Sequence, residues 1–245
     1  MKSPDTPPAN QKPMHTEVEA AFLSRFASWL RAGCIVEIGS WQGASAIALA
    51  RGAQQQVQAQ RSMVYCIEPH ATFVGVYGGR FGPQDRTAFY RAMLEAEMSE
   101  QVALVNLPSI DAARAWREPI GLLFIDGDHS EAAVEADVTA WSPYVVPGGY
   151  IGFDDALDPA IGPSRVIARL LGGGLYKEAG GEGKIRVLQR VPAAEATDRA
   201  NRRQTAVKQF RAQATTCGYD PTRAIGRLGY GSFVSHAHRY VYIET

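Results

Sequence analysis

Few cysteines, no long apolar run and no net charge are the first features of this 245-residue sequence. The three cysteines, at positions 34, 66 and 217, are too far apart for a disulfide framework or a zinc site, and they favour a reducing, cytoplasmic location. No apolar stretch approaches the roughly 20 residues that cross a bilayer. Because 25 basic residues balance 25 acidic ones, the overall charge favours neither nucleic acid nor a membrane surface as a partner.

The composition instead suits one globular domain with flanking segments. A hydrophobic content of 46% is enough for one sizeable core. Residues 1–16 are polar and rich in proline, so we expect a disordered leader rather than a signal peptide. Residues 17–191 carry the pattern of a folded domain. Residues 192–245 form an extension, with a polar helix over 193–214 and an aromatic tail over 230–244, which we expect to cover a pocket or to contact another subunit.

Short apolar runs alternate with amphipathic helical patterns along residues 17–191. The predicted strands cover residues 34–38, 63–67, 102–105, 121–125 and 150–153, and the predicted helices cover 17–30, 44–50, 86–98, 110–116, 131–141 and 164–171. A closing hairpin is predicted over 175–178 and 184–190. This order predicts an α/β fold with a doubly wound, mostly parallel seven-stranded sheet and an antiparallel pair at its edge.

Carboxylates follow two of the predicted strands. Asp126 comes directly after one apolar run, and Asp154 and Asp155 come directly after another. Buried parallel strands do not tolerate unpaired charges, so these side chains should lie at strand ends, beside one another if the strands are neighbours. Carboxylate oxygens are the ligands that magnesium prefers. The sequence therefore predicts a divalent metal site.

A glycine turn and a second acid follow the first two strands. The pattern Glu37-x-Gly39-x-x-x-Gly43 differs from the dinucleotide fingerprint, and Glu68 lies where an acid would accept both hydroxyls of a ribose. An adenosyl ligand with a positively charged end suits this pattern better than a pyrophosphate does. The alternative is structural, with the two glycines serving only tight strand-to-helix packing.

Four segments, VEIGSWQGAS, YCIEPH, LLFIDGDHS and GGYIGFDD, together resemble the class I S-adenosylmethionine-dependent methyltransferases. Among these they resemble the metal-dependent O-methyltransferases, which include catechol O-methyltransferase and the macrolide-sugar methyltransferases. The resemblance covers about residues 17–190 and implies a Rossmann-like fold that uses S-adenosylmethionine and Mg2+. By this likeness the cofactor contacts are Glu37, Gly39, Trp41, Gly43, Ser45, Glu68, Ser109 and Asp126, and the magnesium ligands are Asp126, Asp154 and Asp155.

The same resemblance assigns the catalytic groups. His129 falls where the catechol enzyme keeps its lysine base, and an imidazole is suited to removing a hydroxyl proton. His129 is therefore the candidate general base beside Asp126, although a simple hydrogen bond to a carboxylate is the alternative. We expect methylation of a hydroxyl on a small molecule, first of all a sugar of a natural product, with a catechol-like or other phenol as the alternative. The rival functions are a metal-dependent hydrolase or phosphatase and a non-catalytic, cofactor-binding regulatory protein.

Several polar residues have more ordinary interpretations. Asp128 is either a helix cap or a further ligand, and Asp137 is expected to be a surface charge on its helix. GEGK at residues 181–184 lacks the glycine and hydroxyl of a phosphate loop. His236 and His238 lack a third ligand, so packing of the tail is expected instead. We expect residues 74–81 and the terminal extensions to build the pocket walls.

Overall fold

The computed structural model describes residues 15–57, 61–191, 199–216 and 240–241. Of the predicted leader, residues 1–14 lie outside the described residues, as do His236, His238 and most of the predicted aromatic tail. His15 and Thr16 belong to the folded part, because Thr16 caps the first helix with its side chain. The described fold therefore begins two residues before the predicted start of the domain at residue 17.

Ten strands are found among the described residues. They are β1 (Cys34–Ile38), β2 (Val64–Ile67), β3 (Phe73–Val74), β4 (Arg80–Phe81), β5 (Val102–Val105), β6 (Ile120–Ile125), β7 (Val145–Phe153), β8 (Tyr176–Glu182), β9 (Ile185–Arg190) and β10 (Tyr240–Val241). Eight of them form the main sheet in the order β10-β8-β9-β7-β6-β1-β2-β5. The five strands from β7 to β5 are parallel, whereas β9, β8 and β10 are antiparallel to their neighbours.

Seven of these strands are the predicted ones, and the predicted doubly wound sheet with an antiparallel edge is confirmed. The helices are α1 (Glu17–Ser28), α2 (Ala44–Gln54), α3 (Gln84–Glu95), α4 (Ser109–Ala115), α5 (Glu131–Trp141), α6 (Gly162–Gly173) and α7 (Arg199–Thr216). Two elements differ in kind from the prediction. The segment at residues 74–81 belongs to the small β3–β4 hairpin. Strand β7 begins at Val145, five residues before the strand predicted over 150–153, and includes a Pro-Gly-Gly segment.

Both faces of the sheet are covered, which is why β6 is apolar throughout. Leu123 and Ile125 pack into one core cluster, with Trp141 and Phe153, while the alternate residues of β6 pack into a second cluster on the opposite face. All six residues of β6 are buried. A charged side chain on this strand would have no partner, so the first acid can appear only where the strand ends.

The strand order reverses between β1 and β6. From β1 the chain proceeds outward to β2 and β5, and then it returns to add β6 on the other side of β1. In open α/β sheets such a reversal creates a crevice outside the carboxyl ends of the strands, where ligands bind. None of the helices in the described part of the chain is both long and apolar enough to cross a membrane.

Candidate active site

The turn after β1 forms one side of the crevice, and Gly39 is its tightest point. Gly39 has a φ of +85°, and a Cβ there would lie 2.3 Å from the backbone oxygen of Asp126 and 2.4 Å from the Cα of Gly127. No side chain fits that space, and the positive φ itself disfavours one. The packing explanation is thus sufficient for Gly39. As a result, the backbone of the turn after β1 packs directly against the backbone of the turn after β6.

Glu37 points into this turn from the end of β1 and is fully buried. Its Oε2 accepts a weak hydrogen bond from the thiol of Cys66 at 3.4 Å, and Ser45 also contributes a hydrogen bond. Its Oε1 has no hydrogen-bond partner among the described residues, and neither does the nearby hydroxyl of Ser40. Burial raises the pKa of Glu37 to about 7. A buried carboxylate with a free oxygen is prepared to receive a cationic or hydrogen-bond-donating group.

Glu68, at the end of β2, organises the neighbouring backbone. Its Oε2 accepts from the backbone N–H of Trp41 at 3.2 Å, and its Oε1 accepts from the N–H of His70 at 2.8 Å. Each carboxylate oxygen retains a second lone pair, so Glu68 can still accept two hydroxyl groups. Trp41 and His70 both have positive φ values, of 42° and 49°, which shows how sharply the chain turns around this acid.

His70 was not predicted as part of the site. Its Nε2 lies 2.9 Å from the carbonyl oxygen of Trp41, so this nitrogen carries the proton, and its Nδ1 faces the amide of Asn106 at 3.4 Å. Asn106 also donates to the carbonyl of Glu68 at 2.7 Å. His70 and Asn106 therefore support Glu68 and Trp41 from behind. The available signal in the sequence was a histidine two residues after Glu68.

The half-buried Ser109 and the buried Asp137 form a hydrogen-bonded pair between α4 and α5. Ser109 is the first residue of α4, directly after Pro108. The hydroxyl of Ser109 donates to Asp137 at 2.5 Å and accepts from the indole N–H of Trp141 at 2.8 Å. Asp137 is only 6% exposed, and burial raises its pKa to about 6. The expectation of a surface charge was wrong because α4 packs across this face of α5.

The predicted metal ligands do converge at the ends of β6 and β7. Ile125 and Phe153 are partners in the parallel ladder, so Asp126 and Asp154 emerge side by side from adjacent strands. Asp155 follows with a φ of 45°, which turns its side chain back toward the same point. All three carboxylates are buried.

These carboxylates belong to a ring of alternating charges, here called the charge ring, in which each anion contacts two cationic side chains. The contacts are His15 Nε2 to Asp126 Oδ2 (3.0 Å), Asp126 Oδ1 to His129 Nε2 (3.5 Å), His129 Nδ1 to Asp155 Oδ2 (3.1 Å), Asp155 Oδ1 to Lys184 Nζ (3.1 Å), Lys184 Nζ to Asp154 Oδ2 (2.6 Å) and Asp154 Oδ1 to His15 Nδ1 (3.7 Å). With all six groups ionised the ring has no net charge. Buried charges require this kind of pairing, because an unpaired one is very costly.

The titration behaviour of the ring follows from its pairing. Burial alone would lower the pKa of both histidines, but the adjacent carboxylates outweigh it and raise the pKa of His15 to about 9 and that of His129 to about 10. Burial would raise the pKa of Asp126, yet the two histidines hold it below its usual range. Burial and the neighbouring Asp126 raise the pKa of Asp154. His129 is therefore held as a cation in this state.

His15 and Lys184 are the ring members that the sequence did not predict. His15 precedes the cap of α1 and lies 111 residues from Asp126 in the chain. Lys184 lies in the β8–β9 turn, inside the GEGK segment. Neither residue stands in a recognisable motif. Their role depends on which segments pack over the strand ends, and that is a tertiary property.

Asp128 lies outside the charge ring. It is exposed, and its Oδ1 accepts from the backbone N–H of Ser130 at 2.9 Å. Ser130 is the cap of α5, since its hydroxyl accepts from the N–H of Ala133. Of the two interpretations of Asp128, the structure favours support of the helix start.

Part of this sequence, and its fold, are similar to those of known proteins. Residues 36–156 match a family described as "Methyltransferase domain". This span begins within β1 and ends just after Asp155, so it includes Glu37, Glu68, Asp126 and both aspartates after β7.

Over residues 36–156 the chain thus matches a methyltransferase domain. Among solved structures it is similar to an O-methyltransferase from Bacillus cereus in complex with SAH, at 18% identity and a TM-score of 0.54, covering 76% of this chain and 84% of that one. It is also similar to the O-methyltransferase TomG from Streptomyces achromogenes, involved in tomaymycin synthesis and solved with SAM, at 18% identity and a TM-score of 0.54, covering 71% of this chain and 79% of that one. These likenesses confirm the predicted fold of an S-adenosylmethionine-dependent methyltransferase.

The residues of this methyltransferase domain suit both predicted ligands, although one cation stands in the way of the metal. For the cofactor, Glu37 at the end of β1 has an Oε1 without a hydrogen-bond partner among the described residues, and Glu68 after β2 keeps unused lone pairs. For magnesium, Asp126 Oδ1 and Asp154 Oδ1 are buried oxygens without a hydrogen-bond partner among the described residues. The donor set is of the hard type that magnesium prefers. Lys184, however, already contacts Asp154 and Asp155.

Proposed function

We propose that this methyltransferase transfers a methyl group from S-adenosylmethionine to a hydroxyl oxygen of a small molecule, with Mg2+ bound by Asp126, Asp154 and Asp155. The observation that carries the proposal is the placement of three buried carboxylates at the same sheet edge as Glu37 and Glu68, two of them with an oxygen that has only a long ion-pair contact to a histidine. A site for a cationic adenosyl donor and a site for an oxygen-bound acceptor are thereby supported on neighbouring strands.

On the donor side, Glu37 would accept hydrogen bonds from the ammonium group of the cofactor's methionine end. Glu68 would accept the two ribose hydroxyls while its backbone contacts to Trp41 and His70 keep it in place. Gly43 and Ser45 would line the methionine end, and Ser109 would lie by the adenine.

On the acceptor side, a bound magnesium ion would acidify and orient the acceptor hydroxyl. His129 would remove the hydroxyl proton, and it can do so only from its neutral form. In the cation, one ring nitrogen of His129 contacts Asp126 and the other contacts Asp155, so neutral His129 requires that one of these two N–H groups has lost its proton. The acceptor oxygen would form its bond to the methyl carbon as the donor's carbon–sulfur bond breaks, and His129 would keep the proton. The products would be a methyl ether and S-adenosylhomocysteine. Alignment of these atoms supplies much of the remaining rate enhancement.

The acceptor that we propose is a sugar hydroxyl on a natural product. Two observations support this choice, namely the IDGDHS element, which resembles the sugar-modifying members, and the fold shared with an enzyme of tomaymycin synthesis. The β3–β4 hairpin is in position to form a wall of the acceptor pocket, because the Tyr77 hydroxyl donates to the buried Asp158 a few residues beyond Asp155. Phe73 and Phe81 stack at 4.6 Å within this hairpin. Aromatic faces of this kind suit the C–H surfaces of a sugar ring.

The two rival functions are less well supported. A metal-dependent hydrolase would use the aspartates but would leave Glu37 and Glu68 without a role, and both lie within the matched methyltransferase span. A non-catalytic cofactor-binding protein would have no need of the carboxylates beyond β6 and β7.

The direct test combines binding and turnover. Calorimetric titration with S-adenosylmethionine, with and without Mg2+, should show cofactor binding in both conditions. A mass-spectrometric screen of glycosylated natural products, against catechols as the comparison set, should then detect a gain of one methyl group that depends on Mg2+ and is abolished by EDTA. Absence of cofactor binding in both conditions would contradict the proposed function, whereas methylation unaffected by EDTA would remove only the metal.

A further inference from the structure

Lys184 contacts the same carboxylate oxygens that a divalent ion would bind. Its ammonium lies 2.6 Å from Asp154 Oδ2 and 3.1 Å from Asp155 Oδ1, and its side chain is only 10% exposed. A chelating ion between these two aspartates would have to take the same place, since two cations cannot share it without strong repulsion.

The position of Lys184 is fixed by its backbone. Its N–H donates to Glu19 Oε1 at 3.0 Å, and its carbonyl accepts from the N–H of Ala156 at 2.9 Å. The preceding Gly183 has a φ of +54°, and a Cβ there would lie 2.2 Å from the same Glu19 oxygen. Glu19 in turn accepts hydrogen bonds from the N–H and hydroxyl of Thr16, so α1 and the β8–β9 turn are joined directly. These hydrogen bonds therefore fix the backbone of Lys184 beside the aspartates.

The charge ring is already electrically balanced, so a bound divalent ion would give it an excess of positive charge. Three carboxylates already balance Lys184 and the two histidines, so an incoming divalent ion must displace positive charge from the ring. Lys184 is the member best able to leave, because four flexible methylene groups separate its charge from the fixed backbone and its side chain is not fully enclosed.

We propose that Lys184 is a positioning residue that holds Asp154 and Asp155 together in the metal-free site and competes with the divalent ion for them. This inference rests on the proposed function, because it concerns the same metal site. It implies that the metal ion binds Asp154 and Asp155 only as the ammonium group of Lys184 leaves them. The affinity for metal is accordingly set below the value that three carboxylates alone would give.

The test is the affinity for Mn2+, measured by calorimetry and by the electron paramagnetic resonance signal of the free ion. Lys184→Met removes the charge and keeps the apolar stem, so it should bind Mn2+ about tenfold more tightly than the unaltered protein, or better. Lys184→Arg keeps the charge and should show no such gain. Lys177→Met, on the same hairpin but paired with Gln189 away from the aspartates, is the matched control and should bind as the unaltered protein does.

The outcomes separate this inference from the proposed function. Equal or weaker Mn2+ binding by a folded Lys184→Met variant would overturn the competition while leaving the metal site intact. If no variant binds Mn2+ although all bind S-adenosylmethionine, both the competition and the metal proposal fail, and the methyl transfer remains. If Lys184→Met does not fold, Lys184→Gln takes its place with the same expectation, because its amide can still donate to one carboxylate.

Discussion

The two sides of the crevice solve the problem of buried charge in opposite ways. On the donor side, Glu37 is an isolated buried acid with a raised pKa and an oxygen that nothing in the described structure satisfies. On the acceptor side, three acids are almost fully satisfied by three cations from the same chain. The donor side is thus ready for a ligand, whereas the acceptor side must exchange internal partners before it can bind one. Loss of a charge should therefore have different effects on the two sides.

The largest effect is expected from the double variant Asp154→Asn, Asp155→Asn. Methyl transfer should fall by roughly a thousandfold, because metal-assisted activation supplies several kcal/mol to the transition state. The affinity for S-adenosylmethionine should change little, since neither residue lies on the donor side. Steady-state kinetics and calorimetry give the two numbers, with Asp111→Asn as the control at an exposed acid paired with Arg114. Parallel losses of both quantities would erase the distinction between the two sides.

The next largest effect concerns Glu37. Glu37→Gln keeps the shape of the side chain but removes the charge that would receive an ammonium group, so the affinity for S-adenosylmethionine should fall about ten- to a hundredfold. The affinity for Mn2+ should stay within twofold or so of the original. Glu100→Gln, at an exposed position, provides the matched control for calorimetry. Unchanged cofactor affinity would show that the free oxygen of Glu37 serves some other group.

A smaller effect, but one on both sides at once, is expected from Gly39→Ala. The added Cβ would meet the backbone at Asp126 and Gly127, and the positive φ disfavours any side chain, so unfolding free energy should fall by roughly 2 to 3 kcal/mol. Chemical denaturation measures that loss. Cofactor and metal affinity should weaken together in this variant. If only cofactor affinity weakened, the two turns would be less tightly joined than the contact distances imply.

The smallest effect lies outside both sides, at Asp137. Its pKa in the folded protein is raised from 3.8 to about 6, so the folded state binds a proton more strongly than the unfolded state does. Stability contributed by this proton is present below pH 3.8 and is lost as the pH rises through about 6. Asp137→Asn should therefore stabilise the protein by roughly 1 to 2 kcal/mol at pH 7.5 and by almost nothing near pH 3.5. Melting temperatures at the two pH values check this, and a stabilisation that does not depend on pH would contradict it.

The sequence predicted the parts of the site that follow from strand pattern, and it failed where tertiary packing decides. Asp126 and Asp154 could be paired because two apolar runs end in acids and neighbouring parallel strands place their ends together. His15 and Lys184 could not, because nothing local indicates that the start of α1 and a hairpin turn will close over those strand ends. Asp137 was misjudged for the same reason. Helical spacing shows which residues share a face, but it does not show which helix will cover that face.

The contact at Gly39 joins the turn after β1, on the donor side, rigidly to the turn after β6, on the acceptor side. With no side chain between them, there is nothing compressible to absorb a displacement, so movement of one turn is passed to the other. Asp126 lies at that contact and also joins His15 and His129. We therefore expect cofactor binding at the donor turn to change the ion pairs of Asp126 at the acceptor turn. The order in which cofactor and metal bind would then depend on this backbone contact.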